Sequence, residues 1–165
     1  MRIAVECFAD FTLLEFLRDT CGIRALTDHH AHSQGEVIKA VFEKGRADAG
    51  IVDEDPGKSH HKLRDRTTLV RPGIDVDVQR LEGRFLFVVK PNLEVCFFRA
   101  MTRTKQSSWF KDASQMHRIL GVSSSREHPR FKEELRLLRD AGAKRNVPTF
   151  LSELEQGLKE IVASG

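Results

Sequence analysis

Tyrosine is absent from the 165 residues, and tryptophan occurs once, at Trp109. The missing phenol excludes covalent catalysis by a tyrosine of this chain. Cysteine is scarce: Cys7, Cys21 and Cys96 are an odd number at wide spacing, with no Cys-x-x-Cys pair. That spacing argues against a structural zinc site and against a disulfide framework. Reduced thiols in the cytoplasm are expected, with Cys7 and Cys96 in the core because both lie in apolar stretches. No apolar run exceeds the five residues Phe85-Leu86-Phe87-Val88-Val89. Such a run is too short to span a bilayer, so no membrane partner is expected. The acid at Glu6 and the lack of a long apolar stretch behind Met1 predict no signal peptide. Five prolines and 11 glycines are too few for a linker protein, and 40% hydrophobic residues are too many for a disordered chain.

What is present suffices for one ordinary domain, or for a domain of about 100 residues with a helical extension. The net charge is only +3, but it is unevenly spread. Residues 1–98 carry 14 Lys/Arg against 16 Asp/Glu, whereas residues 99–145 carry 12 against 5. An acidic front and a basic middle suit a polyanionic partner, nucleic acid above all, gripped by its phosphate backbone.

Arg2–Val5 reads as a short buried strand with Glu6 at its carboxyl end. Asp10 opens a helix that turns Leu13, Leu14, Phe16 and Leu17 inward. Residues 23–27 read as a second strand, running into a polar loop with His29, His30 and His32. Ser33-Gln34-Gly35-Glu36 has the form of a capping box. The helix behind it buries Val37, Ile38, Val41 and Phe42, and Gly45 closes it. Residues 48–52 read as a third strand, followed by Asp53-Glu54-Asp55-Pro56-Gly57 and a basic loop from Lys58 to Arg66. Residues 67–70 read as a short strand and Arg84–Val89 as the last. Pro91 breaks that strand, and Asn92 caps a helix reaching about Thr104. More helices follow. His117 shares an apolar face with Phe110, Ala113 and Leu120. Pro129 opens one helix, and Pro148 stands before Leu151, Leu154, Leu158 and Ile161. This order predicts an α/β chain: a doubly wound, mainly parallel sheet of four or five strands over residues 1–105, with a helical extension over 106–165 packed on it. Binding crevices in such sheets lie outside the carboxyl ends of the strands. Glu6, His29, His30, Asp53, Asp55 and Lys90 all follow strands and are expected along that one edge.

Asp53 and Asp55 alternate with Glu54, so extended backbone points both the same way. Like charges that close call for a cation or a proton, and oxygen ligands suit Mg²⁺ or Mn²⁺. Glu6 offers a third carboxylate or a general base. An ordinary Asp-Pro-Gly turn is the plainer explanation of the same residues.

Val5-Glu6-Cys7-Phe8-Ala9-Asp10 resembles the first motif of Toprim domains, a strand ending in Glu with an acid four residues on. Ile51-Val52-Asp53-Glu54-Asp55 resembles their second motif, a strand ending in Asp-x-Asp. The resemblance covers about residues 1–100, and Pro91-Asn92-Leu93-Glu94 is similar to a Pro-x-Leu-Glu stretch of small stand-alone Toprim-like proteins. It implies a Toprim/Rossmann-like fold and a Mg²⁺ (or Mn²⁺) centre at Glu6, Asp53 and Asp55, joined by Asp10 and Glu94. It further implies phosphodiester hydrolysis of nucleic acid by a small nuclease, in defence or nucleic-acid processing, with Glu6, Asp53, Asp55 and Lys90 catalytic. Cys7 stands where the family has glycine. Several Toprim proteins keep the fold without cleaving, so a non-catalytic module that binds nucleic acid or a protein is the alternative.

His29 and His30 are candidate phosphate contacts. So are Arg99, Arg103 and Lys105, near Trp109 and Phe110, and Arg130 and Arg136 further on. A partner protein or a second copy of the chain is the other expected companion. Lys90-Pro91 is also similar to the Lys-Pro after the last strand of response-regulator receivers, which are phosphoacceptor signalling domains. Only Glu6 stands where a receiver has its acidic pair. No Gly-x-Gly-x-x-Gly follows the first strand, which argues against a dinucleotide site.

Overall fold

Strand and helix alternate through the first part of the chain: β1 (Arg2–Val5), α1 (Phe8–Cys21), β2 (Thr27–His30), α2 (Gln34–Phe42) and β3 (Ala49–Asp53). Then come β4 (Thr68–Arg71), β5 (Val76–Leu81), β6 (Arg84–Val89) and four helices: α3 (Leu93–Thr104), α4 (Ala113–Val122), α5 (Pro129–Arg145) and α6 (Phe150–Ser164). This computed structural model describes residues 1–21, 27–31, 33–54, 66–122 and 128–164. The strands form one six-stranded mixed sheet in the order β2-β1-β3-β6-β5-β4. The pairings β1–β2, β1–β3 and β3–β6 are parallel. β5 and β4 are added antiparallel beyond β6.

Two expectations are corrected. The sheet has six strands, not four or five, because Val76–Leu81 is a strand. Its Val-Asp-Val-Gln alternation buries Val76 and Val78, and a two-residue turn joins it to β6. The turn residues Glu82 and Gly83 both have positive φ, 51° and 78°, as a type I′ hairpin requires. His29 and His30 lie on β2 rather than in a loop after the second strand, opposite Ala4 and Val5. Residues 22–26 lie outside the described residues.

Alternation along the strands sorts the core into two faces. Ile3, Val5, Ala49, Ile51, Phe87 and Val89 face α1 and α3–α6. Ala4, Val52, Leu86 and Val88 face α2. Close packing depends on two glycines. A Cβ on Gly50 of β3 would meet Val37 Cγ1 at 2.6 Å, and one on Gly157 of α6 would meet Phe87 Cε1 at 2.6 Å. The chain after residue 105 shares the sheet's core through Phe110, Met116, Phe131, Leu135, Phe150 and Leu154. Cys96 is buried as expected, but Cys7 is exposed, because β1 has already ended before it. His117 is exposed as well: Met116 and Leu120 take the inner positions of α4.

Helix caps follow the sequence closely. Ser33 accepts from Glu36 N at 3.3 Å and Asn92 from Val95 N at 2.9 Å. The carboxylate of Glu36 turns instead to Lys39, 3.0 Å away. The antiparallel half is tied to α6 and α3 by buried charge. Glu153 accepts from the backbone N–H groups of Ile74, Asp75 and Val76 at 2.9, 3.0 and 2.8 Å. The fully buried Asp75 receives Arg103 Nη2 at 2.7 Å from both carboxylate oxygens. Among the described residues, no helix is long and apolar enough to cross a membrane.

Candidate functional site

Parallel pairing brings the carboxyl ends of β1, β2, β3 and β6 to one edge of the sheet. The connection out of β1 passes through α1 on one face, and the connection into β3 passes through α2 on the other. A crevice for ligands opens at such a switch point. Asp53 ends β3 at this edge, between β1 and β6. Its backbone N–H donates to Glu6 Oε1 at 3.3 Å, its carbonyl accepts from Gln34 Nε2, and its Oδ1 accepts from Leu93 N, in the first turn of α3, at 3.0 Å. Glu6, just past β1, and residues of α2 and α3 therefore all grip this one residue.

Two more carboxylates crowd in. Asp10, in the first turn of α1, is buried and accepts from Cys7 N at 3.2 Å and from Cys7 Sγ at 3.3 Å. Glu94 follows Leu93 in α3 and is largely buried. Its Oε1 lies 2.8 Å from Nδ1 of His117, which reaches over from α4. Burial, reinforced by the charges of Asp10, Glu94 and Glu6, pushes the Asp53 carboxyl up to about 9. Burial also lifts Asp10, to about 6, with Glu94 adding to the rise and the Cys7 thiol and amide opposing it. Glu6, Asp10, Asp53 and Glu94 thus form one mutually repelling group.

Among the described residues, no three His, Cys, Asp or Glu side chains converge closely enough to hold a metal ion. Asp55, the partner of Asp53 in the Asp-x-Asp pair, lies outside the described residues. The donor chemistry nonetheless fits a hard divalent cation. The group is made of oxygen donors whose mutual repulsion a cation would relieve. Beside it, Gln34 Oε1 is buried with no hydrogen-bond partner.

The remaining expected residues are dispersed. His30 Nε2 lies 3.0 Å from the Glu6 carbonyl oxygen, and the ring packs edge-on against Phe11 at 5.1 Å. His29 stands opposite Ala4 on β2. Lys90 donates to Asp77 Oδ1 at 2.7 Å and to the Gly73 carbonyl at 2.8 Å, which joins β6 to β5. Arg103 is engaged with Asp75, and Lys105 is the exposed left-handed cap of α3. Arg99 donates to the Lys90 carbonyl at 3.2 Å and, with Lys111, lines an open groove of about 590 Å³ floored by Val95 and Phe98. Arg130 lies over the half-exposed Trp109 ring, 4.6 Å from its centre, and Arg136 pairs with Glu133 at 2.6 Å.

Neither Gln34 nor His117 is a site candidate from the sequence, which puts Gln34 in a helix cap and His117 on an apolar face. Gln34 reads as the first residue of a capped helix, and only the passage of the β2–α2 connection across the end of β1 brings it to Asp53. His117 fits an apolar helical face as well as an exposed one. Compared with protein-family models, curated proteins and solved structures, the chain matches none.

Proposed function

We propose that this chain is a cytoplasmic, divalent-cation-dependent hydrolase of nucleic-acid phosphodiesters, built on a Toprim-like α/β domain. The observation that carries the reading is the crowding of Asp53 by Asp10, Glu94 and Glu6 at the sheet's carboxyl edge. Glu6 and Asp53 would hold the cation, with Asp55, two residues on in the sequence, and with Asp10 and Glu94 supporting them. A bound Mg²⁺ or Mn²⁺ supplies charge neutralisation for a phosphate and a more acidic water. In this reading Glu6 takes the proton of the attacking water. Arg99 and Lys111, along the groove that starts one residue beyond Glu94, hold the phosphate backbone, and Lys105, Arg130 and Arg136 extend that contact.

A second reading is a binding module of the same fold without catalysis. It is favoured by the absence, among the described residues, of a converged metal-ligating trio. It is also favoured by the internal partners of Lys90 and Arg103, two of the basic groups expected to face substrate. Labelled single- and double-stranded DNA and RNA, incubated with Mg²⁺ or Mn²⁺, decide between the two. Cleavage by the wild-type chain that Asp53→Ala abolishes, with binding retained, supports the nuclease. Salt-sensitive binding without cleavage supports the module.

A further inference from the structure

Gln34 is the one buried side chain at the carboxylate edge with an idle polar atom among the described residues. Only 7% of its surface is exposed. The β2–α2 connection puts it there: Ala31 N bonds the last carbonyl of β1 at 3.0 Å, Ser33 N bonds Ala31 O at 2.8 Å, and α2 starts beside the end of β3. The orientation of the amide follows from its neighbour. The Asp53 carbonyl can only accept, so Gln34 Nε2 must face it. Oε1 is then left without a donor. Buried acceptors are seldom left in that state, and an unpaired one is costly.

We infer that Gln34 Oε1 is the neutral oxygen of the cation site at Asp53, contacting the divalent cation or a hydrogen of its bound water. This rests on the cation reading above. Hard divalent cations accept amide oxygens beside carboxylates, and Mg²⁺ keeps several waters whose hydrogens need acceptors. A neutral donor also suits a site already crowded by Glu6, Asp10 and Glu94. Gln34 grips the carbonyl of Asp53 while Glu6 grips its N–H, so amide and carboxylates are held in fixed relation by one residue.

The test uses the full chain and Mn²⁺ alone, with free Mn²⁺ read by electron paramagnetic resonance and no nucleic acid present. Gln34→Met keeps the length of the side chain and removes both the oxygen and the N–H. Gln34→Glu also removes the N–H but keeps the oxygen and adds charge. The proposal expects at least about ten-fold weaker Mn²⁺ binding in Gln34→Met and tighter binding in Gln34→Glu. Unchanged affinity in Gln34→Met overturns it. Weaker binding in both variants overturns it too, since the effect then follows the lost N–H. If Gln34→Met does not fold, Gln34→Glu decides alone: tighter binding supports the proposal, and equal or weaker binding overturns it. Absence of Mn²⁺ binding by the wild-type chain removes this proposal together with the cation reading. Binding by the wild type that is indifferent to Gln34 removes this proposal and leaves that reading standing.

Discussion

Asp53 is under opposing demands. Its carboxyl titrates near 9 in the folded chain, against 3.8 ordinarily, because burial and three neighbouring acids disfavour its charge. Below about pH 4 both folded and unfolded states hold the proton. From there to about pH 9 the unfolded chain gives it up more readily, so this group lowers stability as pH rises through that window. Asp53→Asn keeps the acceptor for Leu93 N and removes the charge. The metal-free variant is expected to melt at least about 2 °C higher than wild type near pH 8, with a flatter dependence of melting temperature on pH. An equal or lower melting temperature would show that the crowding is not costly. Arg103 carries a different lesson. As one of many arginines in a basic stretch it looks like a phosphate contact, and nothing within its own helix announces Asp75, 28 residues earlier. Arg103→Met takes both short hydrogen bonds from a fully buried carboxylate, leaving it Arg99 at 4.0 Å, and is expected to lose about 3 kcal/mol in urea unfolding. Lys105→Met, at an exposed position, is expected to stay within about 0.5 kcal/mol. Glu6, Asp10 and Asp53 were legible as an acidic edge because each follows a strand or opens a helix after one. The partners of Lys90 and Arg103 were not, because Gly73, Asp75 and Asp77 lie on or just before β5, a strand the sequence does not announce.

At the scale of elements, legibility followed local chemistry. Ser33 and Asn92 announced their helices because a cap is written within four residues. His29 and His30 were not legible as strand residues because Thr-Asp-His-His, which pairs with β1, carries little strand propensity. Tertiary pairing overrode propensity there. β5 was missed because its turn is Glu-Gly rather than Asn-Gly, although Glu82 adopts the same left-handed backbone. That mismatch predicts a gain: Glu82→Asn is expected to stabilise the chain by about 0.5–1 kcal/mol, seen as a higher urea midpoint with an unchanged slope. α6 makes the opposite prediction. It approaches the sheet through Gly157 against Phe87. Gly157→Val puts carbon where Phe87 already sits and is expected to cost about 2 kcal/mol or more. Full stability in that variant would mean that α6 packs elsewhere.

The whole molecule is lopsided. Among the described residues, α2 alone packs on one face of the sheet, and the other five helices share the core on the opposite side. The expected division at residue 105 passes through the larger of these layers: Phe87 and Val78 share their core with Phe131, Phe150 and Leu158. A chain ending at 105 would expose that surface, and it is expected to lose cooperative thermal unfolding rather than to fold as a smaller unit. Cooperative melting of residues 1–105 would make the helices a true appendage. The split of charge along the sequence survives folding only in part, since Arg103 and Lys90 are turned inward. The basic groups left outside, Arg99, Lys111 and Arg130 among them, lie on or beside the helical layer.

Having no tyrosine and a single indole, the chain emits its near-ultraviolet fluorescence from one place. Trp109 is 48% exposed, lies beneath the Arg130 guanidinium and has the His128 ring 6.4 Å away. Anything that draws Arg130 off that ring changes the colour or yield of the light. The start of α5 thus lies against a built-in optical reporter, with no second indole or phenol to blur it.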